Sequence, residues 1–170
     1  MKTLCCTLVI ICFNFYLNAQ RQTVPVQNIK YINEVMSNIE ATKIDKMQNI
    51  VAGYNVKNIK DYDNREYSTY DVIFKETNSE IKARFNSDSE ILNSIEIYTN
   101  MRLPLSLVKQ IVLENANWSI VNNVQTIHYD HKNGSRNVYL ITLKKGNQSK
   151  QLKFSFDKNM DSKTYAAVTN

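Results

Sequence analysis

The 170-residue sequence predicts an α+β fold made of two tandem units, each a helix followed by antiparallel strands, with the helices on one sheet face. Two observations predict this class. Two apolar patterns with helical spacing occur, and each is followed by segments in which apolar and polar residues alternate. The helices and strands of the second set also repeat the order of the first, which indicates an internal repeat.

The N-terminal segment has the plan of a secretory signal peptide. Lys2 is basic, the run from Thr3 to Tyr16 is almost wholly apolar, and Ala19 places a small residue before Gln20. We expect residues 1–19 to be cleaved after Ala19, which predicts a periplasmic or secreted protein without a membrane span. The apolar run is shorter than the about 20 residues that cross a bilayer, and an uncleaved anchor is the alternative.

Composition excludes several classes of site. The three cysteines all lie within the first 12 residues, so the mature chain would contain neither a disulfide nor a cysteine-based zinc site. Three glycines in the whole chain argue against glycine-rich phosphate loops. A hydrophobic fraction of 43% with 22% charged residues is typical of a folded domain. We expect no cofactor.

The helices are predicted from apolar spacing. Residues 20–41 form a polar lead-in in which Ile29 to Val35 fits either a helix or a strand. One apolar helix face is predicted after Thr42 and before Gly53, and a second after Pro104, which is suited to open a helix. The two predicted faces are Ile44, Met47, Ile50 and Val51, and, 61 residues later, Leu105, Val108, Ile111 and Val112.

The strands are predicted from alternation. Two hairpins are expected, one turning within Glu76 to Ser79 and the other within Lys145 to Ser149, with the second connector two residues longer. Their apolar sets are Tyr70, Val72, Phe74, Ile81, Ala83 and Phe85, and then Tyr139, Ile141, Leu143, Leu152, Phe154 and Phe156. Further strands are expected over residues 92–98 and 118–129. The repeats are placed at residues 42–100 and 101–170.

Four segments, together with the signal ending in Asn18-Ala19-Gln20, resemble the PepSY-like family of exported bacterial proteins, which share the fold of the β-lactamase-inhibitor protein. They are EIKARFNSDSEIL (80–92), NMRLP (100–104), LSLVKQIVLENANW (105–118) and VYLITLKKGNQSKQLKFSFDKN (138–159). The family pattern is two strands around a charged turn, then Leu-Pro opening a helix that ends in an aromatic residue. The turns after Phe85 and Phe156 lack the glycine of the family's Asp-x-x-Gly. The resemblance implies a Bacteroidetes-type source and a role in binding or inhibiting peptidases, and it covers most of residues 30–160.

The two histidines do not predict a catalytic or metal site. In His128-Tyr129-Asp130-His131, Asp130 stands where a His-x-Gly-His nucleotidyltransferase motif needs glycine, and the motif lies between strands. On a strand, His128 and Asp130 share a face and His131 points away, so a metal site would lack a third ligand. We expect neither a metal nor an enzyme activity.

The lysines of the second hairpin, from Lys144 to Lys158, make that region basic. Because Phe154 and Phe156 face away from Lys153, the pattern lacks the interleaved aromatics of a nucleic-acid surface. We therefore expect no nucleic-acid partner. The basic charge fits attraction to an acidic partner or an anionic envelope polymer.

The sheet face opposite the helices is the candidate binding site. Apolar residues on a face that should meet water, ringed by charges, are typical of recognition patches. The predicted residues are Asp71, Ile73, Lys82, Arg84, Val138, Leu140, Thr142, Lys153 and Ser155. The alternative is that the N-terminal segment or a second copy covers this face.

The leading functional hypothesis is an exported, non-enzymatic binding protein that inhibits or modulates a peptidase or another hydrolase. It predicts a protein partner in the cell envelope and a monomer or weak homodimer. The alternative is a structural or assembly factor of the envelope that associates with itself through the same face.

Overall fold

The computed structural model describes residues 25, 28–36, 42–65, 68–157 and 164–168, with side chains throughout except at 42–45, 157 and 164–168. The signal-peptide prediction, residues 1–19, lies outside the described residues. Within them the chain forms three α-helices, a short 3-10 helix and one seven-stranded sheet. Every strand pairs antiparallel with its sequence neighbours, so the predicted α+β class is confirmed.

The sheet is a simple meander, and its strands lie in sequence order from β1 to β7. Consecutive antiparallel strands need only short connections, which suits a chain with many turn residues. The strands are β1 (Thr69–Glu76), β2 (Ser79–Asn86), β3 (Ile91–Thr99), β4 (Ser119–Asp130), β5 (Gly134–Lys145), β6 (Gln148–Asp157) and β7 (Thr164–Val168).

The ambiguous segment of the lead-in is a helix, α1 (Ile29–Val35), and it is part of the core. Tyr31 and Val35 are buried against the sheet. The side chain of Asn28 fixes the start of this helix, since its Nδ2 donates to Ala52 O at 2.8 Å and to Ser89 O at 2.9 Å. Its Oδ1 accepts from Ile91 N at 2.9 Å. Residues 28–36 therefore pack on the helical side of the sheet.

The second helix, α2 (Thr42–Ala52), ends directly before Gly53, as the sequence predicts. A 3-10 helix (Val56–Asn58) follows. Met47 and Val51 of the predicted apolar face are buried, whereas Ile50 is 37% exposed. Ile44 lies where the structure describes no side chain. Gln48, next to Met47, is fully buried in place of a further apolar residue.

The third helix, α3 (Leu105–Glu114), begins directly after Pro104, as predicted. Its predicted face is correct only in part. Ile111 is buried and Val108 packs against a buried apolar cluster, but Leu105 is 59% and Val112 57% exposed, and Leu107, outside the predicted face, is buried. Buried Leu103 before the helix and buried Asn115 after it, whose Nδ2 donates to Ile111 O at 2.8 Å, place the contact stripe on Leu107 and Ile111. The buried positions of α2 and α3 are thus 60 residues apart, not 61 (47 to 107 and 51 to 111).

The two predicted hairpins turn at the expected places, but their connectors have equal length. Glu76 pairs with Ser79 and Lys145 pairs with Gln148, so each turn contains two residues. The prediction that the second connector is two residues longer is wrong. Leu143 pairs with Lys150, whereas the apolar pattern aligned Leu143 with Leu152. Gly146 has φ +57°, the left-handed conformation that glycine adopts without steric cost.

Two apolar clusters lie under the helices. The first core packs α1 and α2 against β2 and β3 and includes Tyr31, Met47, Val51, Ile81 and Phe85. The second core packs α3 against β5 and β6 and includes Leu107, Ile111, Tyr139, Ile141 and Phe154. Between them the helical side of β4 and β5 carries buried Asn123, Gln125 and Asn137, which we call the polar seam. All helices therefore cover one face of the sheet.

Candidate binding face

The opposite side of β1–β6 faces away from all three α-helices, and we call it the open face. Register assigns side chains to it, because directly paired residues point to the same side. Asp71 pairs with Arg84, Ile73 with Lys82, Val138 with Ser155, and Leu140 with Lys153. The nine predicted site residues, including Thr142 opposite Gln151, thus lie on this one side.

The first-hairpin end of the open face carries two ion pairs. Arg84 donates from Nε to Asp71 Oδ1 at 2.8 Å and from Nη2 to Asp71 Oδ2 at 2.9 Å. This two-point contact lowers the pKa of the Asp71 carboxyl and raises the pKa of Arg84. Lys75 pairs with Glu80 at 2.9 Å. Both carboxylates are therefore neutralised within the face.

Lys82 and Lys153 have no acidic side chain within 4 Å among the side chains described. Lys82 lies between Ile73 on β1 and Ile95 on β3, and its charge further lowers the pKa of Asp71. Lys153 is exposed beside Leu140. A third carboxylate on the face, Asp130, accepts the backbone N–H of Lys132 and of Asn133. These hydrogen bonds leave the charge of Asp130 in place. Among the described side chains the face still carries more cations, including Lys75, Lys82, Arg84, Arg136 and Lys153, than carboxylates, which are Asp71, Glu80 and Asp130.

Sequence reasoning missed two isoleucines at the centre of this face. Ile95 and Ile97 on β3 are 44% and 40% exposed, and Ile73 on β1 is 52% exposed. Half-buried Val138 and Leu140 on β5 lie on the same side of the sheet, with Lys82 of β2 and Thr126 and His128 of β4 between the apolar positions. We call Ile73, Ile95, Ile97, Val138 and Leu140 the apolar band. Four strand spacings make it about 19 Å wide.

A β-bulge explains why these isoleucines point outward. Arg84 pairs with Asn93 and Phe85 with Ile91, so Leu92 is an extra residue in β3. In a regular strand Ile91, Ile95 and Ile97 would share one side, because side chains alternate. The extra residue leaves Ile91 in the core but turns Ile95 and Ile97 to the open face. No signal in the sequence marks such a bulge.

The same bulge places Glu96 in the first core with no exposed surface. The carboxylate accepts Tyr31 Oη at 2.8 Å, Gln48 Nε2 at 2.7 Å and Tyr98 Oη at 2.6 Å. Burial raises the pKa of Glu96 although these hydrogen bonds oppose the rise, and burial beside the carboxylate also raises the pKa of Tyr31. This acid has no exposed surface, and the side chains that bind it belong to the helical side of the sheet.

His128 lies near the end of β4 and His131 lies in the turn between β4 and β5, and the two side chains have different neighbours. His128 is exposed on the open face between Ile95 and Arg136, in a shallow hollow of about 400 Å³ that also includes Asn93 and Asp130. His131 lies instead 3.2 Å from Glu90, measured from Nδ1 to Oε1. The described residues contain no group of three or more potential metal ligands of the His, Cys, Asp or Glu type.

Comparison with protein-family models, with curated proteins and with solved structures gave no match. In the described part of the chain, none of the helices is long and apolar enough to cross a membrane.

Proposed function

We propose that this chain is an exported, non-enzymatic binding protein that recognises a protein partner in the cell envelope through its open face. The observation that carries the proposal is the orientation of β3. Ile95 and Ile97 are 44% and 40% exposed, while Glu96 between them is fully buried.

This orientation works against stability. Burying an isoleucine side chain stabilises a fold by about 1.5–3 kcal/mol, whereas burying a carboxylate without a cation is unfavourable. Departures of this kind from the rule of apolar residues inside are expected where function constrains the chain. An apolar band ringed by charges is also the usual composition of a recognition surface.

We further propose a PepSY-like protein with two tandem units, whose partner is a peptidase or another hydrolase that it inhibits or modulates. Two features support the family. Ser89 has φ +65° in the turn Asn86-Ser87-Asp88-Ser89, where Asp-x-x-Gly would place its glycine. Leu103-Pro104 precedes α3, and Trp118 follows it and packs on the second core.

Each proposed unit pairs one main helix with a hairpin and has its own core. The buried helix positions recur with one spacing, and both hairpins turn through two residues. The polar seam marks the border between the units. Among the described residues between α2 and β1, no strand corresponds to β4, so the proposed second unit carries an added strand.

The decisive experiment is capture from periplasmic extract with the chain from Gln20 as bait, followed by an affinity measurement on the partner that mass spectrometry identifies. The test variant is Ile95→Lys, and the matched control is Leu113→Lys, since Leu113 is 84% exposed on α3. We expect Ile95→Lys to weaken the captured complex by about tenfold or more, because it places a charge within the interface, and Leu113→Lys to leave it unchanged.

Equal capture by wild type and Ile95→Lys would reject the open face as the binding surface. Self-association as an envelope assembly factor is the second candidate, favoured by the same apolar band. It predicts a dimer whose fraction rises with concentration in size-exclusion chromatography with light scattering, and which Ile95→Lys dissociates.

A further inference from the structure

We infer that the partner of the open face is an acidic protein surface, with carboxylates placed around an apolar centre. This inference rests on the proposed binding function and names the chemistry of the partner. It comes from the distribution of charge around the apolar band, and not from the band alone.

The charges of the face do not cancel. Arg84 neutralises Asp71 and Lys75 neutralises Glu80. Asp130 keeps its charge although the backbone of the adjacent turn donates to it, but Lys82, Lys153 and Arg136, which donates to Ser155 Oγ, outnumber it. Lys82 and Lys153 keep no acidic partner within 4 Å among the described side chains. A bound surface that removes water from these two ammonium groups must supply carboxylates, since burying an unpaired charge is strongly unfavourable.

The positions of the two lysines define the shape of the complementary surface. Lys82 lies on β2, between Ile73 and Ile95, and Lys153 lies on β6, beside Leu140. Four strand spacings, about 19 Å, separate their strands. A partner therefore needs apolar side chains over Ile95, Ile97 and Val138, and acidic groups at two sites on either side of them.

Charge also argues against a second copy as the occupant. Two copies that meet through this face would bring the same unneutralised lysines together. Like charges opposed across an interface repel each other and disfavour that pairing. An acidic surface of another protein gains from the same charges.

The test measures binding of the chain from Gln20 to synthetic polypeptides by fluorescence anisotropy. The probes are labelled random copolymers of glutamate with tyrosine and of lysine with tyrosine, and polyglutamate. We expect binding to the glutamate–tyrosine copolymer, weaker binding to polyglutamate because it lacks apolar groups, and none to the lysine–tyrosine copolymer.

The test variant is the double charge reversal Lys82→Glu/Lys153→Glu. Its matched control is Lys57→Glu/Lys109→Glu, which changes net charge equally at exposed positions off the open face. We expect the first to weaken copolymer binding by about tenfold or more and the second by less than about twofold. Equal losses in both, equal binding of polyglutamate and the copolymer, or no acidic preference would each overturn the inference.

Failure here is separable from failure of the proposed function. A natural partner whose capture depends on Ile95 but not on Lys82 and Lys153 would leave the binding face intact and reject the acidic partner. A partner that is indifferent to Ile95 would reject the face itself.

Discussion

At Glu96, the strand orientation that exposes Ile95 and Ile97 forces a carboxylate into the core, which is unfavourable for folding. Its carboxylate has no exposed surface and is bound by Tyr31, Gln48 and Tyr98, none of which carries a positive charge. These three hydrogen bonds, with a fourth from Ser94 Oγ at 3.5 Å, satisfy the oxygens but do not replace the hydration of an ion. The pKa of Glu96 is therefore raised by burial.

This raised pKa predicts how stability depends on pH. The folded chain holds the Glu96 proton more tightly than the unfolded chain, whose carboxyl has a pKa of about 4.3. The stabilising effect of this proton is complete below that value and is lost as pH rises through the folded-state pKa. We expect Glu96→Gln, which cannot ionise, to gain stability relative to wild type over that range, by up to about 1.4 kcal/mol for each pH unit.

The measurement is urea unfolding of both proteins from pH 4 to pH 8. Asp71→Asn is a control without this rise, because Arg84 lowers the pKa of the exposed Asp71 and its contribution is lost only as pH falls through that lowered pKa, below the range measured. A free-energy difference between wild type and Glu96→Gln that stays constant with pH would show that burial does not hinder ionisation of Glu96.

At the scale of the element, the orientation of β3 depends on one extra residue, Leu92. This orientation predicts that replacing Ile95 and Ile97 lowers the free energy of unfolding less than replacing an isoleucine that faces the core. The double variant Ile95→Thr/Ile97→Thr should lower the free energy of unfolding by less than about 1 kcal/mol per site, since both side chains are already half exposed and threonine keeps the β-branch.

The matched control for that variant is Ile81→Thr, at a position on the adjacent strand β2 that has no exposed surface. It buries a hydroxyl and leaves a cavity, and we expect a loss of about 2–4 kcal/mol in the same denaturant titration. Comparable losses at Ile95 and Ile81 would mean that β3 faces the other way, and would remove the basis of the proposed function.

The elements show which features a sequence can predict. Alternation placed Ile81, Ala83 and Phe85 inside and Arg84 outside, because β2 is regular and one face meets water. The faces of β3 could not be predicted, since a bulge depends on pairing with β2 and not on local pattern. Helix α3 buries Ile111 as predicted, but it exposes Leu105 and Val112 and buries Leu107 instead, because Leu103 and Asn115, beyond its ends, contribute to the contact.

In the candidate site, too, the residues on regular strands could be predicted and those on the bulged strand could not. The nine predicted residues share the open face because they lie on regular strands. Ile95 and Ile97, on which the proposal rests, were missed because the bulge that turns them outward could not be predicted. The buried acid was missed as well, since Glu96 lies between isoleucines in a pattern that usually turns such a residue to solvent.

At the scale of the whole molecule, one continuous sheet joins two cores. Seven residue pairs connect β3 to β4, from Asn93–Asp130 to Thr99–Val124, so the ladder does not weaken where the proposed units meet. Beneath it the polar seam interrupts apolar packing, and Gln125 Nε2 and Asn137 Oδ1 are buried without a hydrogen-bond partner. Sheet pairing favours joint unfolding of the cores, and the seam opposes it.

We expect sheet pairing to dominate over the polar seam, because neither core can keep its strands paired when the other half of the ladder is lost. A single cooperative transition is therefore expected, as in most single domains of this size. Trp118, the only tryptophan, packs on the second core beneath Lys150, whose Nζ lies 4.5 Å from the ring centroid. Its fluorescence reports the second core alone, whereas far-ultraviolet circular dichroism reports every strand.

Urea titrations followed by these two signals should coincide in midpoint and slope. The variant Ile111→Ala, which truncates a buried side chain of the second core, should shift both signals together by about 2–4 kcal/mol. A fluorescence transition that moves alone would show that the second core unfolds independently. That result would favour two separable units over one cooperative domain, since the seam would then divide the molecule despite the continuous sheet above it.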